Sequence, residues 1–117
     1  MRFVDSHCHL DRLDLLPYGG DLSAAIDAAR SAGVERMLCV GINMENAPEV
    51  MAIARAHHGV SASVGIHPMD VASGNADWQL LKQLATSPEV VAIGETGLDY
   101  YYSGDSAKAQ FNSHPQT

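Results

Sequence analysis

Four short apolar runs alternate with amphipathic segments along this chain, and each run hands over to polar residues at its carboxyl end. The runs are RFVD at residues 2–5, ERMLCVG at 35–41, VSASVGI at 60–66 and EVVAIG at 89–94. Between them lie three segments with helical spacing. Residues 21–33 (DLSAAIDAARSAG) open on an Asp cap, place Leu22, Ile26 and Ala29 on one face, and stop at a Gly. Residues 46–58 (NAPEVMAIARAHH) open on an Asn cap with Pro in the first turn, and align Val50, Ile53 and Ala54. Residues 76–86 (ADWQLLKQLAT) turn Trp78, Leu81 and Leu84 inward. Strands that alternate with helices in this way must run parallel and be joined by crossover helices. Uninterrupted apolar strands suit a sheet whose faces are covered by those helices. The predicted class is α/β.

In parallel α/β folds the ligand face lies at the carboxyl ends of the strands. Here the first run delivers Asp5, His7 and His9, and the second Gly41 and Asn43. The third delivers His67 and Pro68, and the fourth Glu95 and Asp99. In an extended chain alternate residues share a side, so His7 and His9 project together and make a bidentate metal clamp. Neutral imidazole is the commonest protein ligand for first-row metals. Cys8 between them points the other way and reads as a packed small hydrophobe. Taken alone, the same H-x-H is equally two surface histidines.

Glu95 is the expected third ligand, since a carboxylate at the end of a buried strand needs a cation. An Arg partner is the structural alternative, but Arg2, Arg12, Arg30, Arg36 and Arg55 fall on helices or strand beginnings in this reading. Gly94 and Gly97 flank Glu95 and permit tight backbone turns. His67 would orient a phosphate or pass a proton to a leaving group, or simply cap an H-P turn. Asp5 and Asp99 would accept hydrogen bonds from ligating histidines, or Asp99 would simply cap a loop. His57 and His58 end a helix, where a cation complements the dipole. Tyr100, first of three consecutive tyrosines, would stack on a base or sugar, or pack at a loop mouth.

With 7 basic against 14 acidic residues the formal charge is −7, and no basic patch is visible. A phosphate-ester substrate would therefore draw positive charge mainly from a bound metal. At 117 residues with 46% hydrophobic and 18% charged residues, the chain is one soluble-type domain. No apolar run approaches the roughly 18 residues needed to span a bilayer. The amino terminus lacks the cationic-then-apolar order of a signal peptide. Its two cysteines form neither a disulfide framework nor a zinc spacing. A cytoplasmic location with no membrane partner is expected.

Three stretches together, DSHCHLD at 5–11, VGIHP at 64–68 and GETGLDY at 94–100, resemble the TatD family of metal-dependent deoxyribonucleases. The resemblance runs from residue 2 to about residue 106. It implies a (β/α)8 barrel of the amidohydrolase type and one or two divalent ions (Zn, Mn or Mg). It also implies hydrolysis of DNA phosphodiester bonds by metal-activated water. Carried over by position, His7, His9 and Glu95 match the metal ligands, and His67 the histidine near the substrate phosphates. A whole barrel takes about 250 residues, so the expectation is the amino-terminal half of one. Residues 1–106 would form the hydrolase part and 107–117 a tail outside the family pattern. An open half-barrel would expose sheet edges and an apolar face, inviting self-association or a complementing fragment. The alternatives are hydrolysis of another ester or amide, and an inactive chain that only binds metal or a partner.

Overall fold

The computed structural model describes residues 1–71 and 77–101. It shows one sheet of four parallel strands in the order β1-β2-β3-β4, each strand beside its sequence neighbour. The strands are β1 (Phe3–Cys8), β2 (Val34–Cys39), β3 (Val60–Val64) and β4 (Val90–Ile93). Helices α1 (Leu22–Ser31), α2 (Ala47–Ala56) and α4 (Trp78–Leu84) make the crossovers, with a one-turn helix α3 (Pro68–Val71) after β3. The boundary expected at residues 106 and 107 lies outside the described residues. Among the described residues no helix is long and apolar enough to cross a membrane.

Local chemistry accounts for most boundaries. The Asp21 carboxylate accepts from Ser23 N at 2.9 Å at the head of α1, and Asp77 caps α4 through Leu80 N at 3.0 Å. Gly33, at φ +104°, closes the turn from α1 into β2. Asn46 departs from expectation. It occupies the position before α2 but its side chain does not cap the helix. Its amide oxygen instead takes the Ile42 and Asn43 N–H groups at 3.0 and 3.2 Å, and its Nδ2 donates to Asp11 at 3.1 Å. The H-P step at His67 is likewise more than a turn, since Pro68 starts α3.

The core lies between β2, β3 and the helices. Ile26 of α1, Val50 of α2, and Cys39, Ala62 and Val64 of the central strands are buried within it. Burial of a side chain such as Val50 contributes about 1.5–3 kcal/mol. The outer strands differ from the expected covering of every strand. In β1 the residues from Phe3 to His7 are exposed, and in β4 the alternate residues Val91 and Ile93 are 62% and 54% exposed. They border the sheet edges, with no described strand beyond them.

Both cysteines point into this packing. Cys8 and Cys39 are register partners across β1 and β2, and the Cys8 thiol donates to the Leu38 carbonyl at 3.3 Å. Burial, reinforced by the Asp5 charge, pushes the Cys8 thiol up from its ordinary 9.0 to about 12, and burial raises Cys39 as well. Stability held by the protonated thiols is thus fully present below pH 9 and is lost as pH rises from there towards 12. The melting temperature should fall along that alkaline limb. Mass spectrometry after iodoacetamide at pH about 8 should find both thiols unmodified in the folded chain under conditions that fully label the urea-unfolded one. Rapid labelling of folded Cys39 would contradict this packing.

Candidate metal centre

The floor of the site is built from main chain at the carboxyl ends of β2, β3 and β4. Gly41 N donates to Ser63 O, Gly94 N to Val64 O, and Glu95 N to Gly41 O, all at 2.9–3.0 Å. The last bond reaches from the end of β4 to the end of β2, passing over the end of β3 between them. Ser63, the buried polar side chain of β3, braces this crossing. Its hydroxyl donates to Gly94 O at 3.1 Å and accepts from Gly41 N at 3.2 Å. The crossing needs a glycine beneath it. A Cβ on Gly65 would lie 2.5 Å from Gly94 C and O and 2.9 Å from Glu95 N.

Onto this floor β1 delivers two imidazoles and the end of β4 a carboxylate. His7 lies on β1 and His9 one residue past it, with ring centroids 5.1 Å apart and planes at 80°. The Glu95 carboxylate reaches His7 Nε2 through Oε1 at 2.7 Å. One potential ligand atom from each of His7, His9 and Glu95 lies within 4.8 Å of the others. His67 meets the same carboxylate from the end of β3, with Nε2 3.4 Å from Oε2. Among the described residues no arginine pairs with Glu95; its ion-pair partners are these two histidines.

The donor set fits a divalent cation. Two imidazoles and one carboxylate are ordinary zinc, manganese or iron ligands. The buried Nδ1 of His9 has no hydrogen-bond partner among the described residues, so no protein acceptor or donor claims that atom. Cys8 is turned away to Leu38 and is not part of the set.

The remaining sequence candidates are placed as follows. Asp5 accepts from the backbone N–H of His7 at 3.1 Å, so the bond it makes goes to the main chain and not to an imidazole. Asp99 accepts from Tyr101 N at 2.9 Å in the loop after β4. Tyr100 is 74% exposed and stands outside the cavity beside the triad. That cavity, of about 430 Å³, is lined by His9, Glu95 and His67 and also by Arg12, Asn43 and Asp70. Arg12 lies on a helix, as expected of the arginines, but on one that the sequence reading did not place at the ligand face. It sits in the 3-10 turn Leu10–Arg12 directly after the H-x-H strand. Its address on the ligand face was the signal available in the sequence. Asp11, with its side chain 3% exposed and Oδ1 unpartnered among the described residues, ties this turn to Asn46 and hence to the β2–α2 loop.

The sequence pattern of the family described as TatD related DNase matches residues 4–114. The chain belongs to the TatD-related DNase family. A Buchnera aphidicola protein named an uncharacterized metal-dependent hydrolase is 33% identical, over all of this chain and 45% of its own length. Escherichia coli YjjV, also named an uncharacterized metal-dependent hydrolase, is 36% identical over 86% of the chain and 39% of its length. A Cronobacter turicensis protein named 3′-5′ ssDNA/RNA exonuclease TatD is 42% identical over 68% of the chain and 31% of its length. The crystal structure of YjjV superposes with a TM-score of 0.69 at 28% identity, covering 96% of this chain and 46% of that one. The four βα units are thus part of a TatD-type barrel, and the chain spans less than half the length of these relatives. The family is one of metal-dependent hydrolases.

Proposed function

We propose that the His7–His9–Glu95 cluster holds a divalent ion for the hydrolysis of DNA phosphodiester bonds. The observation that carries this reading is the convergence of the three side chains at the strand ends, with His7 2.7 Å from Glu95. The exonuclease named in Cronobacter turicensis supports nucleic acid as the substrate class. A divalent ion supplies Lewis acidity towards a phosphoryl oxygen and activates water for the attack.

The chain's own residues do the rest. His67 Nδ1 accepts from Met69 N at 3.1 Å, so in the neutral ring the proton sits on Nε2, the atom that faces Glu95. His67 therefore acts as a donor, to a phosphate oxygen or to the leaving oxygen, and is not a metal ligand. Asp5 fixes the His7 main chain. In this reading residues 1–106 form the hydrolase part, and further strands pair with the open edges of β1 and β4, from more of a longer chain or from a second copy.

The test is incubation of the 117-residue chain with single-stranded DNA and manganese, zinc or magnesium. The expected result is cleavage that EDTA abolishes and that His67→Ala slows by about 10²–10⁴. Stoichiometric metal binding without cleavage would overturn the reading.

A further inference from the structure

The cavity beside the triad holds a cation that the proposed hydrolysis leaves unused. Arg12 is 56% exposed, and the nearest carboxylate among the described residues is Asp11, with Oδ2 3.9 Å from Nε. That separation is too long for a hydrogen bond, and the same Oδ2 already accepts from Asn46 Nδ2 at 3.1 Å. The guanidinium therefore lines the cavity more than half exposed, held on this side only by a long ion pair with Asp11 that makes no hydrogen bond. Three other arginines are engaged elsewhere, Arg2 with Glu35, Arg30 with Asp27 and Arg55 with Glu89.

Asn43 lines the cavity too. Its side-chain oxygen is committed to Asn46 N at 2.8 Å, which leaves the amide NH2 as its remaining donor. The Asp11–Asn46 bond joins the turn that carries Arg12 to the loop that carries Asn43, so both sets of donors keep one spacing. Against them stand two lining carboxylates, Glu95 and Asp70, the latter already engaged in an interaction of its own. One guanidinium against two carboxylates does not attract an anion. With a divalent ion at the triad the balance reverses.

We propose that Arg12 and Asn43 form an anion subsite that takes a phosphate group of the substrate, and that it becomes effective only when the triad holds its metal. The proposal rests on the metal-site reading above and adds the group that recognises the substrate. A planar guanidinium suits phosphate because two parallel N–H donors meet two oxygens.

The experiment is equilibrium binding of a fluorescein-labelled oligothymidylate and of thymidine 5′-phosphate to the full chain. Both are titrated with and without calcium at several salt concentrations. Arg12→Gln should weaken oligothymidylate binding about tenfold and lower the salt slope by about 1. Arg12→Lys should keep the slope and recover only part of the affinity. Arg36→Gln, at an exposed position near the start of β2, removes the same charge and should change neither. Metal content and circular dichroism should be alike in all four proteins. Equal effects of Arg12→Gln and Arg36→Gln, or Arg12-dependent binding that ignores calcium, would overturn the subsite while leaving DNA hydrolysis standing. Calcium- and Arg12-dependent binding of thymidine 5′-phosphate, with no affinity for the oligonucleotide, would keep the subsite and remove DNA as the substrate. Failure of the wild type to bind either probe with calcium present would overturn the proposal outright.

Discussion

Glu95→Gln is expected to strip the divalent ion from the chain while leaving the fold intact. The substitution keeps size and shape but removes the one anionic group of the triad, which sits 2.7 Å from His7 and 3.4 Å from His67. Losing a partner outside the ligand set typically costs 10–100-fold in metal affinity, so loss of a ligand itself should cost more than about 100-fold. The backbone of Glu95 is held by Gly41 O and does not depend on the carboxylate, so circular dichroism should not change. His7→Ala/His9→Ala should give the same loss from the other side of the site. Elemental analysis after dialysis, with a zinc or manganese titration, reads both. Near-stoichiometric metal in either variant would mean that the ion is held elsewhere.

Gly65→Ala should damage the same centre without touching a ligand. The new methyl group would meet Gly94 C and O at 2.5 Å and Glu95 N at 2.9 Å, all main-chain atoms that cannot rotate away. Either the β3 end recedes or the Gly94–Glu95 segment lifts, and the second movement pulls Glu95 from His7. Overpacking of this kind costs about 1–3 kcal/mol, and each kcal/mol lowers Tm by about 4–8 °C in a domain of this size. Metal affinity should fall with it. Gly94→Ala is the comparison, because a Cβ there meets nothing within 4 Å. Thermal melts of the two variants that coincide with the parent would show that the close approach is not a constraint.

The parallel strands and crossover helices were legible because hydrophobic periodicity reports burial directly. The end of β1 was not. Expected to stop at Asp5, the strand continues to Cys8, since Cys8 pairs with Cys39 and accepts from Val40 N, and a register shift between Asp5 and Cys8 takes up the polar residues Ser6 and His7. Side-chain polarity marks exposure and is silent about backbone pairing. His7, His9 and Glu95 could be read because their spacing and their place after apolar runs are local properties. Arg12 carried a local signal in its place just after the H-x-H strand, but the roles of Asp11 and Asn46 could not be read, because they depend on two loops meeting across 35 residues of sequence. Asn46 illustrates the competition: a residue suited to capping a helix is used to fasten a loop.

The bond from Glu95 N to Gly41 O bears on how the ligand moves. Glu95 lies beyond the last residue of β4, where a chain ordinarily frays on its own. Because its amide is fastened over β3 to the end of β2, releasing it requires the strand ends to separate together. The carboxylate thus shares the opening equilibrium of the sheet, and its amide proton should exchange with solvent as slowly as those of the central strands.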